Sequence, residues 1–197
     1  MVGKTHMAVG AAAGIGVCAM TGTFSVAAIF AATFAALIPD IDHHNSKITN
    51  ANFLTKGISW FVRKVLLPVE AFLLNFISRF FKKGGIPFSE ATSSHRGPLT
   101  HSILGVFLLS LVFLPVYFFV SEQLFTFIVI GMLSHVFIDM FNPEGVPIAY
   151  PLSSRKISLL PNKLAVTTGT KRESFVKLGA LMASAAMLMF YCNIPLL

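Results

Sequence analysis

Charge is what this sequence lacks first. Only 15 basic and 8 acidic residues occur in 197 positions, a charged fraction of 12%, where soluble domains usually carry roughly 25%. With 55% hydrophobic residues and a mean hydropathy of +0.76, too few solvated groups remain to clothe a water-soluble globule, so lipid must cover it. Cysteine is almost absent. Cys18 and Cys192 lie in apolar runs without CxxC spacing, which argues against a disulfide framework or a thiolate site and leaves buried, inert thiols. No GxSxG-like elbow occurs, so a Ser-His-Asp triad is not supported. The net charge of +7 could suit nucleic acid, but basic residues of membrane chains face the cytoplasm and its anionic lipids, and no nucleic-acid partner is expected.

What is present is a series of uncharged runs. Residues 5–39 contain no Lys, Arg, Asp or Glu, and as one helix they would reach about 52 Å, well beyond a bilayer core of about 30 Å. Thr21-Gly22-Thr23 supplies a turn, so the run is predicted to be a hairpin of two short helices, near 6–20 and 24–38. A secretory signal is the competing reading, disfavoured because the run is too long for a single h-region and no polar mature segment follows it. A second uncharged run covers 97–121, with a kink expected at Pro115, and a third covers 123–141, interrupted only by His135 and Asp139. The last covers 178–197, with its helix starting near Ser174. The expected fold class is all-α, a polytopic membrane helix bundle of about four or five membrane helices in a single integral membrane domain, 1–197.

Two segments differ in character. In 51–83, Val69, Phe72, Leu73, Phe76, Ile77 and Phe80 recur at three- and four-residue steps between basic and polar positions, the pattern of a basic amphipathic helix lying on a membrane surface. Pro68 separates it from an earlier piece carrying Trp60, Arg63 and Lys64, which also suit an interface. An ordinary helix packed on the bundle has the same pattern. Residues 142–173 read as a Pro-containing, basic cytoplasmic loop. If the hairpin crosses and the later spans alternate, all 15 basic residues fall on or near the cytoplasmic side, as the positive-inside rule expects.

That topology makes a further demand. His6 opens the first helix, Asp40 and Asp42 follow the second, His95 and His101 begin the third, and His135 and Asp139 end the fourth. All reach one membrane face. His135 and Asp139 at i, i+4 share a helix face, and ionisable groups at membrane depth need partners. Each motif has a plainer reading: a hydrogen bond for His135 and Asp139, a turn or cap for Asp40 and Asp42, an interfacial position for His95 and His101. Together they offer more imidazole and carboxylate than one zinc needs, which favours a catalytic centre of one or two divalent ions with an open water position.

These motifs carry a resemblance. Pro39-Asp40-Ile41-Asp42-His43, the run His95-Arg96-Gly97-Pro98-Leu99-Thr100-His101-Ser102, and 131–139 followed by Asn142-Pro143-Glu144-Gly145 resemble the YdjM-type membrane-bound metal-dependent hydrolases over roughly 6–151. The resemblance implies a multi-span helical protein of the bacterial inner membrane, classed as a hydrolase. The ligand order is similar, more loosely, to that of zinc-dependent phospholipase C and P1-type nucleases. That analogy implies His6, Asp42, His101, His135 and Asp139 as metal ligands, although no histidine follows His135, so a three-metal site is not expected.

Asp40 is expected to act as general base or to orient a ligand histidine. His95 is a further catalytic candidate, and Arg96 could clamp a phosphate or simply anchor at the interface. Glu90 and Glu144 are weaker ligand candidates. The functional expectation is a hydrolase with a cytoplasmic-face site cleaving a phosphoester, with phospholipid the natural substrate. The alternatives are a metal- or proton-coupled transporter, or a non-enzymatic membrane protein whose polar cluster locks helices together. Oligomeric state is not legible.

Overall fold

The computed structural model describes residues 1–42, 98–150, 152–153 and 155–193, with isolated positions between 56 and 76; at 41, 42, 98, 99 and 193 only the backbone is described. The expected interfacial insertion 51–83 therefore lies largely outside the described residues, as do His95, Arg96, Glu90 and the Asp42 side chain.

The first uncharged run forms the hairpin. Helix α1 spans Gly3–Thr21 and stops at Gly22, whose φ of 69° is left-handed, a conformation glycine adopts without a Cβ penalty. Ser25 starts α2, Val26–Ala35, by accepting the Ala28 N–H, and a 3-10 turn at Ile38–Asp42 carries Asp40 away from it. Ser121 likewise caps α6, Glu122–Asp139, by accepting the Leu124 N–H.

The run 97–121 is not one continuous helix. It comprises α3 (Pro98–His101), α4 (Ile103–Ser110), a 3-10 turn at Leu111–Phe113 and α5 (Leu114–Phe119). The break is at Ser102, where the backbone is extended and the hydroxyl accepts from Gly105 N–H. The Ile103 N–H leaves the helical ladder for the Ile148 carbonyl. Pro115 stands in the first turn of α5, where its missing N–H costs nothing, so it restarts a helix instead of kinking one.

The last helix, α7, spans Lys171–Asn193 and begins earlier than expected. Its first turn is tied down by charge: Glu173 accepts from the Gly169 N–H, and Arg172 Nη1 donates to the carbonyls of Lys163 and Ala165. A carboxylate in the first turn also suits the helix dipole.

Helix α1 packs against α2, α6 and α7, and α2 packs on α6. Small residues set these distances. At Gly131 an added Cβ would run into the Ala32 carbonyl of α2, so α2 and α6 touch at backbone level, as small residues permit between membrane helices. Cys18, Ala28, Ala32 and Phe127 close the core at one end, and Ala35, Val106, Met132 and Val136 continue it. Outside, Phe30, Phe107, Phe118 and Phe175 each expose more than half of their surface. Helices α6 and α7 are long and apolar enough to cross a membrane. Outward aromatic residues on an all-helical frame fit a membrane helix bundle.

The expected loop 142–173 folds back under the end of α6. Val146 and Ile157 form an isolated antiparallel bridge, while Leu159 N–H and Val166 N–H bond the carbonyls of Met140 and Phe141. Gly145, at φ 63°, approaches the Ile157 backbone so closely that a Cβ would collide with it.

Candidate metal centre

Five chemically useful side chains meet where these elements end together. His6 comes from the first turn of α1, Asp40 from the 3-10 turn, His101 from α3, and His135 and Asp139 from the last turns of α6. The three histidines and Asp139 are at most 1% exposed, and the Asp40 side chain is 14% exposed. Ionisable groups are expensive in such surroundings unless they meet a counter-charge.

His135 stands at the centre. Its Nδ1–H donates to the Ala36 carbonyl at 2.8 Å, which leaves the Nε2 lone pair facing the interior in the neutral ring. That nitrogen lies 3.2 Å from His101 Nε2, 3.6 Å from Asp40 Oδ1 and 4.0 Å from Asp139 Oδ2. His101 is held from behind by Thr100, whose hydroxyl is 2.7 Å from Nδ1. Two imidazole nitrogens this close share either a proton, as a hydrogen bond, or a cation. Ligands around one zinc stand about 3.3 Å apart when each lies at 2.0–2.1 Å, and the spacings around His135 Nε2 fall close to that.

His6 forms the second flank. Its ring stacks on His135, and its Nε2 is 3.6 Å from Asp139 Oδ1. Neither ring nitrogen has a hydrogen-bond partner among the described residues, although both are fully buried. A buried, unsatisfied imidazole is costly, and a cation bound by it would remove that cost. Asp139 Oδ1 also accepts from the Asn142 amide at 2.9 Å and from the Met1 amino group at 3.1 Å. Two sets of donors satisfy metal-ligand spacing, His6 with His135 and Asp139, and Asp40 with His101 and His135. The residues present fit a divalent cation.

Of the ligands expected from sequence, the structure brings His6, His101, His135 and Asp139 together. Asp40, expected as a base or orienting partner, has its carboxylate within ligand reach of His135. The Asp42 side chain, His95 and Arg96 lie outside the described residues. Sequence reasoning did not assign Asn142, the Ala36 carbonyl or the Met1 amino group to the site. Only Asn142 left a signal, three residues after Asp139 at the end of an apolar run.

The model of the YdjM inner membrane protein family matches residues 1–194. The proteins called inner membrane protein YdjM in Escherichia coli strain K12 and in Shigella flexneri are each 32% identical over 123 residues, covering 61% of this chain and 47% of theirs. The chain thus spans about half the length of the curated relatives it matches. No solved structure matches. The chain belongs to the YdjM family of inner membrane proteins.

Proposed function

We propose that this protein is a metal-dependent hydrolase embedded in the bacterial inner membrane as a multi-pass bundle, with its site at the cytoplasmic face and a phosphoester, such as a phospholipid, as substrate. One observation carries the reading: three buried imidazoles and two carboxylates from four separate elements converge at ligand spacing, and neither ring nitrogen of His6 has a hydrogen-bond partner among the described residues. The basic residues fall in stretches of sequence that alternate crossing would return to one side, which supports the cytoplasmic orientation. A transport path needs polar groups at several depths, whereas the described metal-ligating groups gather at one end of α1 and α6.

His6, His101, His135 and Asp139 would hold zinc, as one or two ions, with the Asp40 carboxylate beside them. Bound there, a divalent ion supplies a water of lowered pKa and polarises a phosphoryl oxygen. The chain's own part is orientation. The Ala36 carbonyl fixes His135, the Thr100 hydroxyl fixes His101, and Asn142 holds Asp139. Asp40 stands at the edge with some exposure, where its carboxylate can take a proton from water as substrate arrives.

The test is direct. Protein purified in detergent is analysed for bound metal and assayed on phospholipid and on a small phosphodiester, alongside His135→Ala. Turnover and bound zinc in the wild type, both lost in the variant, are the expected result. Full metal retention by the variant, or a metal-loaded wild type inert towards every phosphoester, would overturn it.

A further inference from the structure

The loop that folds back under α6 mixes exposed apolar and basic side chains. Ile157, Leu159 and Leu164 are 36%, 47% and 61% exposed, and Arg155, Lys156 and Lys163 stand exposed among them. Between 145 and 177 the chain has six basic residues and one acidic, Glu173. That carboxylate is buried and accepts from the backbone N–H groups of Val2 and Gly169. No ion pair engages Arg155, Lys156 or Lys163 among the described residues.

The fold holds these groups outward. The N–H groups of Leu164 and Ala165 both bond the Pro161 carbonyl, and Val166 N–H bonds the Phe141 carbonyl. Arg172 Nη1 braces the turn on either side of Leu164, at the carbonyls of Lys163 and Ala165. Ala165 and Val166 are buried behind it. In water, leucines braced in this way would be a standing cost of unburied apolar surface.

Depth follows from the neighbours. Leu133 and Phe137 on α6 and Phe175 and Leu178 on α7 face outward. The lipid-facing surface therefore reaches to about one helical turn from the strap's attachments at Met140, Phe141 and Lys171. The strap lies at the rim of that surface, at headgroup depth, where leucines can enter the acyl edge while the longer basic side chains reach headgroup phosphates. Phosphatidylcholine brings its own positive charge, whereas an anionic lipid supplies the counter-charge that no described carboxylate gives these cations. Nucleic acid would answer the cations and leave the leucines in water.

We infer that residues 155–164 form an interfacial strap that binds anionic phospholipid, with Leu159 and Leu164 in the acyl edge and Arg155, Lys156 and Lys163 on the headgroup. The inference rests on the membrane bundle and needs no metal.

A local reporter tests it. Full-length protein carrying Trp60→Phe and Leu164→Trp is reconstituted in phosphatidylcholine vesicles that contain, at equal fraction, either phosphatidylcholine or phosphatidylglycerol with brominated acyl chains. Blue-shifted indole emission, quenched more strongly by the brominated phosphatidylglycerol, is the expected result. Replacing Arg155, Lys156 and Lys163 by Gln should remove that preference, by about fivefold at most for each cation, and excess soluble glycerol phosphate should leave it intact. Emission typical of indole in water, with no quenching by either lipid, would overturn the strap. Equal quenching by the two lipids, a preference that survives the three Gln replacements, or one abolished by glycerol phosphate would overturn anionic-lipid binding by these cations. Leu159→Trp gives a second reporter should the first variant fail to fold. All these outcomes are read without metal or turnover, so they stand or fall separately from the proposed hydrolase.

Discussion

His6 and His135 lie face to face, ring centroids 3.8 Å apart and planes inclined by 12°. The contact joins the first turn of α1 to the penultimate turn of α6 in a place sealed from solvent. Two like rings stacked beside carboxylates settle best when a cation draws their nitrogens outward. Chelation of the purified protein should therefore lower its thermal midpoint, and zinc should restore it. At a free metal concentration 100 times the dissociation constant the stabilisation is about 2.7 kcal/mol. An identical midpoint with and without metal would count against the centre.

Thr100 and Asn142 touch ligands without being among them. Loss of such an orienting partner usually costs about 10–100-fold in metal affinity. Thr100→Val and Asn142→Ala should each weaken zinc binding by that amount in chelator competition, with the helical circular dichroism spectrum unchanged. Unaltered affinity in both would show that the histidine and aspartate positions are fixed by packing alone.

Helices α2 and α6 meet at Gly131, where the Ala32 carbonyl leaves no room for a Cβ. Gly131→Ala is expected to destabilise the bundle by about 1–3 kcal/mol, the usual cost of overpacking. Gly179, on α7 with nothing within 4 Å of a new Cβ, is the control. Its change to Ala should be neutral or stabilising by up to about 1 kcal/mol. Thermal unfolding of both variants in one detergent separates the cases.

Glu173 is 3% exposed and accepts backbone N–H groups from both Val2 and Gly169. Glu173→Ala leaves those donors unpaired, at about 1–3 kcal/mol. Because Val2 adjoins the amino group that meets Asp139, the same variant should loosen α1 near His6, read as faster amide exchange over its first turn. Exchange confined to α7 would show that the two ends are not coupled.

Orientation has its own check. A reporter fused within 121–123 should register the periplasm, since positive charge is absent there and gathers on the other side. A cytoplasmic signal from that turn would reverse the proposed facing of the centre.

Composition alone dictated a lipid-covered helical chain, because 23 charged residues cannot solvate a globule this size. Local chemistry fixes the starts of α2 and α6, since Ser25 and Ser121 cap as serine does before an apolar run. The expected topology gathered His6, Asp40, Asp42, His95, His101, His135 and Asp139 at one end of the helices, and of these the structure describes the side chains of His6, Asp40, His101, His135 and Asp139 close together. Tertiary structure decided the rest. The break at Ser102 needs the Ile148 carbonyl to receive the Ile103 N–H, and that carbonyl belongs to a loop whose path no local pattern reveals. Likewise, which oxygen of Asp139 faces which ring depends on α1, α3 and α6 docking to within a few tenths of an ångström. Sequence periodicity fixes which side of a helix is apolar, but only packing against Ala32 and the other small residues fixes how near the helices come.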